Sequence, residues 1–416
     1  GDTGMGFPDT YALVDRVEAE CKAEEIPFYR AASHFTPAES WNLFGPPSRT
    51  LRWCCSVHKS TPQTLKIREV LGKKDYVGMD FVGVRAEESV RRSSYQYENY
   101  GKKQRGQFSH NSILKWTSAE IWLYIYTHKL LINETYKKGN ARAGCLFCPM
   151  SGGVSGFFRQ ESYPDEVRQY TDIIKNTHGG AKKQAESYLV NGGWNARKNG
   201  RDLLDNPFRC VETVEKNTVR IVVRRPDSDW QEWMKTIGEL RVEGEVCYLA
   251  YKRETIRFVV KQTADGYDVR ISERTLKDRP ELSKLFRQVF RKASYCSSCR
   301  VCETNCPHGC ISFNEGKVKI DGCIQCHACH DIDSGCLMFH SLRHPQGGGK
   351  AMKSLNSFAD HAPKPEWMKS FFELKEAFFT EHTLGPNMYD MFRRFLRDAG
   401  LNEKNHFTPF AELIAD

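Results

Sequence analysis

Along residues 1–205 the apolar positions recur with two alternating periods. Within residues 9–24, Ala12, Leu13, Val17 and Cys21 fall at helical spacing, which predicts an amphipathic helix. Residues 76–84 form a mostly apolar run and predict a strand. Residues 118–128 predict a helix with Trp122, Ile125 and Tyr126 on its inner side. Residues 164–177 predict another, with a proline at its first position as helix starts allow. Such alternation predicts an α/β domain with a mainly parallel sheet and helices on its faces.

The period changes over residues 206–290. β-branched runs at 218–224 and 256–261 predict strands. Thr263-Ala264-Asp265-Gly266 carries an Asp-Gly turn signal, so 256–261 and 267–271 are expected to pair as a hairpin. A small α+β connector is expected here, followed by a cysteine-rich unit at 291–342. A linker is expected at 343–352 from its glycine-rich composition. The region 353–416 is expected to be helical, with helices at 367–379 and 388–399 and Gly400 as a stop signal.

Composition adds one decisive fact. The 416 residues are 40% hydrophobic and 27% charged, as in ordinary soluble chains, and the formal charge is +9. No uninterrupted apolar run of about 18 residues exists, so no membrane partner is expected. The positive balance is compatible with polyanions such as nucleotides or nucleic acid. Cysteine is the unusual count, at 16. In a chain this long it points to a reducing, cytoplasmic setting and to metal or cluster ligation.

Nine of the cysteines lie between Cys296 and Cys336. The spacing Cys296-x2-Cys299-x2-Cys302-x3-Cys306-Pro307 suits a 4Fe-4S cluster. A second run, Cys323-x2-Cys326-x2-Cys329, is followed by Cys336. Structural zinc is the alternative, but zinc sites usually pair two CxxC or CxxH units across a loop. The array resembles a two-cluster bacterial ferredoxin. That resemblance implies one cluster on Cys296, Cys299, Cys302 and Cys336, and another on Cys306, Cys323, Cys326 and Cys329. Cys336 departs from the family spacing, and Cys310 falls outside the pattern.

Four more cysteines form two close pairs, Cys54-Cys55 and Cys145-x2-Cys148. The string Arg52-Trp-Cys-Cys-Ser-Val-His-Lys59, followed by that CxxC, resembles the cluster-bearing adenylyl-sulfate (APS) reductases of the phosphoadenosine-phosphosulfate (PAPS) reductase family. Further strings agree in order over about residues 1–160. They are Gly1-Asp2-Thr3-Gly4, Phe7-Pro8-x-Thr10, Gly83-x-Arg85-x2-Glu88-Ser89-x2-Arg92, Trp116-Thr117-x2-Glu120-x-Trp122 and Asn133-x2-Tyr136-x2-Gly139. The resemblance implies a parallel-sheet, adenine-nucleotide α-hydrolase-like fold and a third 4Fe-4S cluster on Cys54, Cys55, Cys145 and Cys148, with zinc again the alternative. It implies a site for ATP or for PAPS/APS lined by Asp2, Thr3, Gly4, Gly83, Arg85, Glu88, Ser89 and Arg92. Lys59, Arg85 and Arg92 are its catalytic candidates, since guanidinium groups fork onto phosphate or sulfate oxygens. The plainer alternative pairs Arg85 and Arg92 with Glu87 and Glu88 on a solvated surface. His58, His110, Trp116 and Trp122 are expected to pack rather than to act.

Two family features are missing from the sequence. A Ser-Gly-Gly-x-Asp-Ser anion loop would precede Gly1, so the chain is expected to lack its first few tens of residues. A Glu-Cys-Gly tail, the nucleophile of assimilatory reductases, is not found, and no cysteine follows Cys336. The spare cysteines Cys21, Cys210, Cys247 and Cys310 are expected to be small buried hydrophobes. The same superfamily contains ATP pyrophosphatases, including the sulfur-activating subunits of DNA phosphorothioation systems. The segment from Leu384 to Phe395, with Arg393, Arg394 and Arg397 near it, is weakly similar to regions found with such systems. The first expectation is therefore ATP-driven sulfur transfer into nucleic acid. Its partners would be a sulfur donor such as a cysteine desulfurase and DNA or a DNA-modification complex. The second is a ferredoxin-fused sulfonucleotide reductase that makes sulfite. The third is a non-catalytic iron–sulfur scaffold.

Overall fold

The computed structural model describes residues 1–100, 107–151, 153–204, 206–344, 364–403 and 405–415. Residues 1–345 form one compact unit and 346–416 another. Most of the expected linker, and the start of the expected helical region, lie outside the described residues. No helix among the described residues is long and apolar enough to cross a membrane.

The first part of the larger unit is helix-rich. Helices Pro8–Ala23, Pro37–Phe44, Thr61–Leu71, Ser118–Thr127 and Pro164–Thr177 punctuate it. Among the described residues the expected mainly parallel sheet comes down to one parallel pair. Strands β1 (Gly78–Phe81) and β3 (Gln107–His110) run parallel, and β2 (Glu98–Tyr100) is antiparallel to β3. A single parallel bridge joins Asp2 to Ala32. So small a sheet offers little area for helices to cover. Accordingly Pro8–Ala23 and Ser118–Thr127 contain no fully buried residue, and Tyr126, expected inside, is 66% exposed.

The expected α+β segment is built on a six-stranded antiparallel sheet, in the order β4-β5-β9-β8-β7-β6. Its strands are β4 (Cys210–Glu215), β5 (Thr218–Arg224), β6 (Leu240–Glu243), β7 (Val246–Tyr251), β8 (Glu254–Thr263) and β9 (Gly266–Ser272). The β8–β9 hairpin turns through Ala264-Asp265 as expected, with Thr263 opposite Gly266. Gly266 is required by packing, because a Cβ there would lie 2.1 Å from the Val223 carbonyl oxygen. Alternate residues Val219, Ile221, Val223, Ile256, Phe258, Val269 and Ile271 are buried. The amphipathic helix Pro280–Tyr295 covers that face with Leu282, Phe286, Val289 and Phe290. Burial of each such side chain stabilises by about 1.5–3 kcal/mol.

The same helix runs directly into Cys296. Beyond it, two cysteine loops flank the hairpin of β10 (Ile311–Asn314) and β11 (Lys317–Ile320). The loops repeat each other's backbone. Ser298 and Arg300 have φ of 57° and 61°; Gln325 and His327, at the same offsets from Cys296 and Cys323, have 58° and 60°. The core is continuous from Met5 to Leu342 and includes Cys54, Cys302, Cys306, Cys329 and Cys336.

In the second unit, helices Pro365–Leu374 and Pro386–Asp398 pack around Phe371, Phe378, Phe392 and Leu396. Gly400 sits at φ 73°, just past the latter helix, as a left-handed helix stop requires. Arg393, Arg394 and Arg397 are exposed on it.

Candidate cysteine and nucleotide site

Cys54 and Cys55 lie in a single helical turn, Trp53–Cys55, which widens into a π-helix at Ser56–Ser60 before continuing as Thr61–Leu71. Pi-helical turns are rare and concentrate at functional sites. Trp53 anchors the turn by stacking on Phe44 at 4.6 Å. His58 points inward, is 1% exposed and bonds Ser40 Oγ at 2.8 Å through Nε2. Burial pushes its imidazole down to about 4, so it packs as a neutral ring. His110, in β3, lies edge-on to Phe81.

The CxxC segment reaches this turn from the other side. Gly6 bridges Cys145, and Leu146 N–H donates to the Met5 carbonyl at 2.7 Å. Thr3 Oγ1 lies 3.8 Å from Cys145 Sγ, and Asp2 Oδ1 accepts from Gly4 N–H at 2.8 Å. The four thiols face one another electrostatically. A hydrogen bond with Cys55, followed by burial, pushes Cys54 up; Cys145 and Cys148 raise it further. Cys55 is held down at about 5, first by the bond from Cys54 and then by the cations of Arg52 and Lys59. Arg52 Nη2 reaches Cys55 Sγ at 3.7 Å. Burial pushes Cys145 up to about 11, partly offset by Thr3 and Lys59. The structure therefore gathers Cys54, Cys55, Cys145, Cys148, Lys59, Asp2, Thr3 and Gly4.

The Gly83–Arg92 loop forms a separate group. Ala86 N–H donates to the Leu114 carbonyl, and Ser89 caps the short turn Val90–Ser93. Gly83 is open, with only Ile113 at 3.7 Å from the place of a Cβ. Arg85 Nη1 bonds Glu87 at 3.2 Å and Ser118 Oγ at 3.2 Å, and Arg92 pairs with Glu88. Both guanidiniums thus have the carboxylate partners of the plainer alternative. Burial lowers the Arg92 guanidinium, and the like charge of Arg142, three residues before Cys145, lowers it further.

Residues 296–336 bring their cysteines into two neighbourhoods. Cys302, Cys336 and Cys296 act on Cys299. Cys306 and Cys326 act on Cys323, while Cys329 feels Cys302 of the first neighbourhood as well as Cys323 and Cys306. Burial raises Cys296, Cys299, Cys302, Cys323, Cys329 and Cys336, with Cys296 and Cys329 reaching about 12. Backbone N–H groups point at the sulfurs in matching positions. Ser298 N–H bonds Cys296, and Gln325 N–H bonds Cys323 at 3.4 Å. Val301 N–H bonds Cys299, while Phe339 and Met338 N–H bond Cys336 at the start of helix Leu337–Leu342. Alternating right- and left-handed backbone of this kind makes the anion-binding nests found at iron–sulfur sites. All sixteen cysteines are free thiols. Among the described residues no three His, Cys, Asp or Glu close tightly enough to hold a single metal ion. Trp41 and Trp53 indole N–H groups, buried in the core with Cys54, have no acceptor.

Four buried cations were not foreseen, one of them Arg159, whose Nη1 donates to the Leu146 carbonyl of the CxxC segment at 2.6 Å. Arg68 donates to the carbonyls of Glu303, Thr304 and Cys306 at 3.1, 3.3 and 3.0 Å. It clamps the cysteine loops to the helix that follows Cys54-Cys55. Arg197 donates to the carbonyls of Phe44, Pro46, Asn199 and Ser341. Lys292 Nζ bonds the Cys329 carbonyl at 3.1 Å. Of the spare cysteines, Cys210 and Cys247 are buried in strands, and Cys310 N–H bonds Cys306 Sγ.

The first part of the chain resembles known proteins. Residues 1–151 match the family model of the phosphoadenosine phosphosulfate reductase domain. An uncharacterised protein of Methanocaldococcus jannaschii is 29% identical over 177 residues, 42% of this chain and 40% of the relative. The adenosine 5'-phosphosulfate reductase of Halalkalibacterium halodurans is 28% identical over 149 residues, 35% of this chain and 60% of the relative. That of Neisseria meningitidis is 27% identical over 158 residues, 36% of this chain and 62% of the relative. The chain thus spans 40–62% of the length of these relatives, less than two thirds of each.

Proposed function

We propose that the protein is an iron–sulfur oxidoreductase that reduces an adenylyl sulfonucleotide, APS or PAPS, to sulfite. One observation carries this reading above the others. The cysteine-rich segment is clamped by Arg68 onto the helix that follows Cys54-Cys55. Releasing sulfite from a sulfonucleotide consumes two electrons, whereas adenylation by ATP consumes none. A ferredoxin-like segment fixed against the site suits the first chemistry.

On this reading the three cysteine sets hold three 4Fe-4S clusters, grouped as the ferredoxin and APS reductase resemblances imply. Bound there, the clusters would supply one-electron transfer. The chain's own residues do the rest. Lys59 and Arg52 place positive charge beside Cys55, where an anionic sulfonate would approach. Asp2, Thr3 and Gly4 border the CxxC segment. Gly83, Glu88 and Ser89 shape the second loop, from which Arg85 and Arg92 exchange their glutamates for phosphate and sulfate oxygens.

A second reading, ATP-driven sulfur incorporation into nucleic acid with a cysteine desulfurase as donor, has the exposed Arg393, Arg394 and Arg397 in its favour. Anaerobically prepared full-length protein separates the two. Sulfite from labelled APS or PAPS supports reduction. Pyrophosphate from ATP, with no sulfite, supports the second reading and overturns the first.

A further inference from the structure

Cys310 differs from the other spare cysteines of the strands. Cys210 and Cys247 are enclosed, at 7% and 1% exposure, whereas Cys310 is half-buried and stands at the edge of the second cysteine set. Three contacts fix its place. Its N–H donates to Cys306 Sγ at 3.3 Å, so residues 306–310 wrap around that sulfur, with Gly309 at φ 62° inside the loop. Its carbonyl accepts from Asp321 N–H at 3.0 Å, which carries the β10–β11 ladder one step beyond Ile311 and Ile320. Its thiol donates to the Gly322 carbonyl at 3.3 Å, and Gly322 directly precedes Cys323. The thiol also lies 3.7 Å from the His308 carbonyl.

The Cys310 sulfur is therefore held between the arm that carries Cys306 and the arm that carries Cys323. Both are ligands of the same cluster in the grouping Cys306, Cys323, Cys326 and Cys329. Cys306 and Cys323 also act on the thiol electrostatically. The hairpin itself makes no use of the sulfur, because the loop and ladder bonds come from the Cys310 backbone. A thiol is a weak hydrogen-bond donor, so its bond to a carbonyl is easily given up. A cubane takes four cysteine thiolates, and this end of the segment offers a fifth.

We propose that Cys310 is a reserve iron ligand of the second cluster, able to take the position of Cys306. In the exchange, the iron–sulfur bond to Cys306 breaks and one to Cys310 forms. The Cys310 proton passes to the Cys306 thiolate, and no electron moves. The segment thus keeps its cluster through loss or modification of Cys306. The proposal rests on the cluster reading above, and its test separates the two.

The test compares anaerobically prepared full-length protein with Cys306→Ala, Cys310→Ala and the double variant. Cys326→Ala is the control, at a ligand flanked by Gln325 and His327. Iron and sulfide per chain and electron paramagnetic resonance are measured. Native protein and both single variants at 306 and 310 should hold about 12 irons, with the second-cluster signal altered in Cys306→Ala. The double variant and Cys326→Ala should hold about 11 or fewer, since a cubane short of one thiolate loses iron. Iodoacetamide supplies an independent reading. It should alkylate Cys310 in the native protein and do so about tenfold more slowly in Cys306→Ala, where iron occupies the sulfur. A Cys306→Ala protein that loses as much iron as the double variant, or that fails to fold, overturns the reserve ligand. So does full iron in the double variant, or equal alkylation of Cys310 in the two proteins. Native protein that carries zinc and little iron overturns the cluster reading itself, and the reserve ligand with it.

Discussion

Replacing Arg68 with methionine tests the clamp between the cysteine loops and the Cys54 helix. Arg68 is 9% exposed, and its two terminal nitrogens make three hydrogen bonds to carbonyls of residues 303, 304 and 306. Hydrogen bonds to a charged group contribute roughly 1.5–3 kcal/mol each. Burying the guanidinium costs part of that sum, and Nε has no partner. Methionine keeps the apolar stem but removes all three bonds, although Cys306 N–H and Gly309 N–H still reach the Glu303 and Cys306 carbonyls. A net local loss of about 3 kcal/mol follows, or roughly a hundredfold in the opening equilibrium. Amide hydrogen exchange reads this directly. Amides of 61–68 and 301–306 should exchange about a hundredfold faster in Arg68→Met. Those of β5 and β9, with Val219, Ile221 and Val269 buried far along the chain from the clamp, should keep native rates. Exchange within threefold of native at 301–306 would refute the clamp.

Three other outcomes follow from named side chains. Cys54→Ser should lower iron from about 12 to about 8 per chain and abolish sulfite formation while the signals of the 296–336 segment persist; zinc in place of iron would contradict this. Arg85→Ala should raise KM for the sulfonucleotide at least tenfold yet change stability by less than about 0.5 kcal/mol, because its partners are at the surface; an unchanged KM sinks its binding role. His58 is held neutral by burial, with a folded pKa of about 4 against the ordinary 6.5 of a free imidazole. Between those values the unfolded chain binds the extra proton, so stability is lost as pH falls from 6.5 to 4, by up to about 3 kcal/mol. Denaturant midpoints should show that loss, and His58→Gln should flatten it; equal slopes would remove His58 as its source.

What the sequence revealed and what it concealed divide along contact range. The β8–β9 hairpin was readable because Asp265-Gly266 is a local signal, and the helix Pro164–Thr177 because its period and starting proline are local. The cysteine sets could be proposed from spacing, since two copies of one loop need only a few residues each. The mainly parallel sheet was misjudged because apolar runs do not reveal how many strands pair, and β2 pairs antiparallel. Arg68 and Lys292 were invisible for a physical reason. Each occupies a helix whose surface would ordinarily be solvated, and each is buried by loops that arrive from far along the chain. Arg68 meets residues 235 to 238 positions away. Arg52 stood beside the cysteine pair in the sequence, but only the fold shows it reaching Cys55.

The central claim is that electrons held by the cysteine-rich segment are spent at the Cys54 site. The most direct test is a single turnover. Cluster-loaded protein is fully reduced, freed of excess reductant, and mixed with APS or PAPS. Three clusters store about three electrons, enough for one two-electron reduction. The account predicts about one sulfite per chain and reoxidation of the clusters on Cys296–Cys336. No sulfite, with all clusters still reduced, or an equal yield from Cys54→Ser, would contradict it.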